Sequence, residues 1–312
     1  ASMSTDQRRA SPLASAIVQP EPQLPAEQPA TRLNPVPSWL RFFGSELRLV
    51  FFRPRNLALL GVVVALPVFF GIVLRLTLNS GGGPGDSGNG PPFLDQLAGN
   101  GVFLALVVLA LGSLLLLPLA MSVVTGDAIA GEASLGTLRN LLTVPAGRTR
   151  LLAVKYATVC VFALAVSVLV AVLALIMGLI LFHTGPVTLL SGTTISFGAG
   201  VLRVLAVAAY FSVALMSLGA IGLAASTLTS HPVGAIAGLM VVVIASEICD
   251  QLPSLSAIHA YLPTHWWLSW DGLFRAPVDL SGIGTGLVSF AVYAAIFVSI
   301  AWARLTSADV TA

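Results

Sequence analysis

Six apolar runs decide what this chain can fold into. They lie near 57–78, 102–125, 152–182, 201–228, 232–249 and 283–303. A helix needs about 20 predominantly apolar residues to cross a hydrocarbon core of about 30 Å. Lipid offers no partners for backbone N–H and C=O groups, so each run is read as a helix that satisfies its own backbone. The expectation is an all-α integral membrane protein with six transmembrane helices. Charge content agrees: 9% of the 312 residues are charged, where a soluble domain carries about a quarter. The third run is long enough to tilt or to extend past the bilayer. The fifth is short and bounded by Glu247 and Asp250. Pro67 and Pro118 fall inside the first and second spans, and each is expected to kink its helix.

Basic residues orient the spans. Arg8, Arg9, Arg32, Arg41, Arg48, Arg53 and Arg55 precede the first span; Arg139, Arg148, Arg150 and Lys155 follow the second; Arg304 follows the sixth. These are twelve of the chain's 15 basic residues, and all fall on one side of a six-span layout. The positive-inside rule then places both termini in the cytoplasm. Arg75, Arg203 and Arg275 lie on or near the other side, where Arg75 and Arg203 can snorkel from span ends.

Residues 1–37 are rich in Pro, Ala, Gln and Ser, without apolar periodicity, and are expected to form a disordered cytoplasmic tail. Ala1 and Ser2 precede Met3 and are read as a cloning remnant. Residues 38–56 differ. On a helical period Trp39, Phe42, Phe43, Leu47 and Val50 share one face, with Arg41, Ser45 and Arg48 opposite. That pattern predicts an amphipathic helix lying in the membrane interface. Glu46 falls within the apolar stripe and breaks it. The membrane domain then occupies 57–305.

The outer side carries a Gly/Pro loop, SGGGPGDSGNGPP at Ser80–Pro92, and the segment IHAYLPTHWWLSW at Ile258–Trp270. Prolines keep the latter from spanning. It is expected to form short re-entrant helices, with Trp266, Trp267 and Trp270 at the interface. His259 and His265 lack an obvious third ligand, so interfacial packing is favoured over a metal site. Cys160 and Cys249 lie in apolar runs outside any Cys/His cluster and are read as buried free thiols.

Between the second and third spans stands GEASLGTLRNLLTVPAGR, Gly131–Arg148. Leu135, Leu138, Leu141 and Leu142 cluster on one helical face, Arg139 and Asn140 point away, and Pro145 stops the helix. The segment has no nucleophile–base pair. The chain has no GxxxxGK phosphate loop, so it cannot hydrolyse ATP by that route alone. A short amphipathic helix anchored at both ends is suited to a groove on a cytoplasmic partner.

Gly126–Tyr156 resembles the signature of ABC type 2 permeases. There an acidic residue precedes Gly-Thr-Leu, then come Leu-Leu, a Pro, an Arg and a Lys leading into the third span. The matching positions are Asp127, Glu132, Gly136, Thr137, Leu138, Leu141, Leu142, Pro145, Arg148 and Lys155. The layout over about 38–305 is similar too. The resemblance implies a permease like those of bacitracin, drug and lantibiotic-immunity exporters, in a bacterial cytoplasmic membrane. It implies a second permease copy or a related permease, and two separate ATPase subunits that hold ATP and Mg. The interfacial helix and the segment around 131–145 would contact those subunits, the latter as a coupling helix. A pathway between two permeases would be lined by the first, second and fifth spans. The chain itself would be a transport subunit without catalytic residues, metal or cofactor, in contact with lipid and not with nucleic acid.

Some residues keep two readings. Glu132 is a joint residue pairing with Arg139 or a partner arginine, or a solvated carboxylate at a helix N-terminus. Arg148 and Lys155 belong to the coupling motif or are positive-inside anchors. Glu247 lines the substrate path or marks the interface. Gly219 and Gly222, with Ala220, Ala224 and Ala225, form a small-residue face for close helix packing, within a protomer or across a dimer. Rival functions are a permease-like subunit for metalloenzyme maturation, an ion-driven carrier and a membrane-embedded enzyme.

Overall fold

The structure is a computed structural model that describes residues 38–79, 100–134, 147–182 and 185–307. The disordered-tail expectation for 1–37 and the Gly/Pro loop lie outside the described residues. Helix α1 (Ser38–Phe52) is followed after one residue by α2 (Pro54–Asn79). Then come α3 (Phe103–Leu114), α4 (Leu116–Ser134) and α5 (Arg148–Leu181). A two-residue antiparallel pair, β1 (Val187–Thr188) and β2 (Thr194–Ile195), precedes α6 (Phe197–Leu228) and α7 (Pro232–Asp250). Short turns of helix, Pro253–Leu255, α8 (Ser256–His259) and His265–Phe274, lead to α9 (Ser281–Ser307). Among the described residues six helices are long and apolar enough to cross a membrane: α2, α4, α5, α6, α7 and α9.

The second predicted span is two helices. The break falls at Leu115, whose backbone leaves the helical region (φ −146°, ψ −51°). Pro118 explains the position. Its ring collides with the carbonyl four residues earlier, that of Leu114, and it has no N–H to offer that carbonyl. The helix restarts with Leu119 N–H on the Leu115 carbonyl at 2.9 Å. It then continues past the predicted end at 125 to Ser134. By contrast, α2 runs through Pro67 without interruption.

Helix α6 is buried along most of its apolar window, whereas α2, α7 and α9 leave most of theirs exposed. Lipid tails are as apolar as leucine, so such exposure carries no hydrophobic penalty, and close packing must come from small residues and hydrogen bonds. The small-residue face of α6 does this within the chain. A Cβ at Gly222 would overlap Thr125 of α4 and crowd Leu239 of α7. One at Gly219 would overlap Val159 of α5. Backbone meets backbone at Gly101 and Gly178, just before α3 and near the end of α5.

The segment after α7 corrects one expectation. Trp267 and Trp270 are not interfacial anchors: both are fully buried. Trp267 packs edge-on against Phe211 of α6, ring centres 6.0 Å apart, and Phe274 lies against Phe103 of α3 at 5.7 Å. Trp266 stays half-buried, its indole N–H on the Ala260 carbonyl at 3.0 Å. Arg203 donates to the carbonyls of Leu273 (2.7 Å) and Arg275 (3.2 Å), tying α6 to the last turn of this segment.

Candidate functional site

Lys155 is the only lysine in the chain. It stands seven residues inside α5, about 10 Å from the helix start, and is almost fully buried. Its ammonium donates to Glu132 Oε1 at 2.6 Å and Glu46 Oε2 at 3.2 Å. An ammonium at this depth is tolerable only when paired and hydrogen-bonded. Lys155 is therefore no surface anchor. Glu46 breaks the apolar stripe of α1 for the same reason. The stripe faces the bundle through Phe42, Phe43, Leu47 and Val50, and Glu46 is the point where α1 meets Lys155. Arg41, Ser45 and Arg48 lie on the exposed side; Trp39 is exposed too but lies on the stripe's side, next to Phe43.

Glu132 lies within the described part of α4, two residues before Ser134, and its carboxylate takes the short bond from Lys155. Its observed partner is Lys155; Arg139, the partner expected from sequence, lies outside the described residues.

A second cluster adjoins the first. Asp127 accepts from Arg55 at 3.1 and 3.2 Å and from Arg53 at 3.4 Å. These arginines sit at the junction of α1 and α2, so Asp127 fixes the start of α2 to α4. Three carboxylates and three cations thus balance. All but Arg55 line a cleft of about 310 Å³, lined also by Asn56, Val124 and Gly131. Asn56 donates to the Val50 carbonyl at 2.8 Å, while its own side-chain oxygen is buried without a donor among the described residues. Ser226 of α6 grips α4 from another side. Its hydroxyl accepts from the N–H groups of Ala130 (2.9 Å) and Ile129 (3.2 Å) and donates to the Gly126 carbonyl (3.0 Å).

Leu135, Gly136, Thr137, Leu138, Arg139, Leu141 and Leu142 lie outside the described residues. Both flanks of their segment are described, and both are held. Glu132 is bound to Lys155. Arg148 donates to the carbonyls of Leu305 (3.0 Å) and Thr306 (2.9 Å) at the end of α9. In sequence, Glu46 was visible as a glutamate in an apolar stripe, and Asp127, Glu132, Arg148 and Lys155 as positions of the permease motif.

Glu247 lies at the other end of the helices, half-buried near the end of α7 and in contact with Thr264. Beside it Asp250 meets His265 Nδ1 at 2.5 Å, with His259 Nδ1 at 3.9 Å. Ser246 and Thr264 share a hydrogen bond of 2.7 Å. Among the described residues no three His, Cys, Asp or Glu side chains are grouped to hold a metal ion. Both cysteines are free and half-buried.

Residues 55–229, more than half of the chain, match a family model described as ABC-2 family transporter protein. No curated protein matched the chain.

Proposed function

This chain belongs to the ABC-2 transporter family, as the permease subunit that works with ABC ATPase subunits, and we propose that it is an ATP-driven exporter of an amphipathic drug, peptide or lipid-like molecule. Two permeases and two ATPases form the working unit, in a bacterial cytoplasmic membrane, with both termini and the segment 135–146 on the cytoplasmic side. That segment contacts the ATPase, with Leu135, Leu138, Leu141 and Leu142 as its apolar face. The chain carries no catalytic residue of its own; ATP and Mg are held by the partner.

One observation carries this reading: the described residues on both flanks of the segment are clamped to the bundle. At its start Glu132 binds Lys155 of α5, which also binds Glu46 of α1. At its end Arg148 binds the final carbonyls of α9. A push on the segment therefore reaches α1, α5 and α9 through short polar contacts rather than through a slack loop. Asp127 passes it on to the start of α2. The exposed faces of α2 and α7 suit a pathway between two permeases, with Glu247 of α7 contributing to its wall.

The test is co-purification in mild detergent. A P-loop ATPase is expected with the chain in about equal amount, and Leu138→Asp is expected to detach it or to abolish stimulated ATP hydrolysis. Normal co-purification and normal stimulation by Leu138→Asp overturn the docking role of the segment.

A further inference from the structure

Two adjoining clefts open between α1, α5 and α9. One, of about 650 Å³, has Phe43, Leu152, Tyr156, Cys160, Val298 and Trp302 in its wall. The other, of about 370 Å³, is lined by Trp39, Phe43, Arg150, Ala153, Val154 and Ala157. Phe43, Ala153 and Ala157 belong to both, so the two form one groove. Its wall is mostly apolar, with Tyr156, Cys160 and Ser299 along it, and its one charged residue lies at an end. There Arg150 lines the narrower cleft, and the Trp302 indole N–H donates to Thr149 Oγ1 at 3.1 Å.

We propose that this groove binds an anionic phospholipid of the surrounding leaflet, with an acyl chain along α5 and the phosphate beside Arg150. Length is the first argument. From Arg150 to Val161, the last α5 residue in the wall, the helix rises about 16 Å. That is about half of a 30 Å hydrocarbon core, the depth of one leaflet. Charge is the second argument. Arg150 places a fixed positive charge where the apolar wall stops, the arrangement of a headgroup above its chain. The third is the pair of half-exposed indoles, Trp39 and Trp302, whose rings suit the headgroup level.

The experiment is native mass spectrometry of the purified chain. It is exchanged into equal amounts of dioleoylphosphatidylglycerol and dioleoylphosphatidylcholine. Preferential retention of phosphatidylglycerol is expected. Arg150→Gln is expected to lower that preference about fivefold, the effect of one basic residue near a membrane surface. Ala157→Trp fills the groove and is expected to remove the retained lipid; Ala153→Trp, in the same wall, serves if that variant fails to accumulate. Ile176→Trp, farther along α5 on an exposed face, is expected to leave retention intact. Equal retention of the two lipids, or retention unchanged by both groove variants, overturns the proposal. So does loss of self-association by Ala157→Trp with lipid still bound, which assigns the groove to a second copy. Loss of cargo transport with lipid still bound assigns it to cargo and overturns the proposal equally.

Discussion

At one end of the helices Lys155 is buried between two carboxylates; at the other, Asp250 meets His265 with each side chain 29% exposed. Both clusters join three or more segments, yet their physics differs. Lys155 has exchanged water for Glu46 and Glu132, so each member takes its polar contacts from the others. Removing one leaves an uncompensated ion in a poorly solvated place. Asp250, His259 and His265 keep part of their hydration, and water can replace a lost partner. Polar contacts hold the first end as a joint; at the second end, buried aromatics such as Trp267 and Trp270 do the holding, and the Asp250–His265 hydrogen bond is an accessory.

Three substitutions can break or sharpen that contrast. Lys155→Met carries the largest expected effect. It strands Glu46 and Glu132 and should cost about 3–5 kcal/mol, read as loss of folded yield and a lowered Tm in detergent. The triple variant with Glu46→Gln and Glu132→Gln should recover much of this; if it recovers nothing, charge pairing is not the reason Lys155 matters. Glu132→Gln comes next. Lys155 keeps Glu46, so only one charged hydrogen bond is weakened, at about 1.5–3 kcal/mol. If its partner is at the joint, the variant should also lower ATPase stimulation more than it lowers Tm. Smallest is His265→Ala, at about 1 kcal/mol or less for a half-exposed pair. A His265 effect as large as that of Lys155→Met would show that the two ends are built alike.

The joint was legible in pieces. Glu46 was visible as a fault in an amphipathic stripe, Lys155 as the single lysine of an apolar run, and Asp127 and Glu132 as members of a family motif. What sequence could not provide was their pairing. Glu46 and Lys155 are more than a hundred positions apart, and periodicity places a residue on a face without naming what that face meets. Sequence paired Glu132 with Arg139 or a partner arginine; Arg139 lies outside the described residues, and the bond the structure shows runs to Lys155, a helix away. The tryptophans misled for a related reason. An indole suits both an interface and a core, and only the packing of His265–Phe274 against α6 and α3 decides between them.

The amino-acid sequence by itself determined the number of crossing helices, the end at which basic residues gather and the family signature. Each is a local property: run length against bilayer thickness, charge against hydrocarbon, residue order within a short window. Tertiary structure alone decided that the small-residue face of α6 is filled from within the chain, that Pro118 divides a span at Leu115, and that a lysine inside α5 joins α1 to α4. Those outcomes depend on which surfaces come into contact, and in a bilayer hydrophobicity does not choose among apolar faces. Shape and buried charge make that choice, and both are settled only when the helices meet.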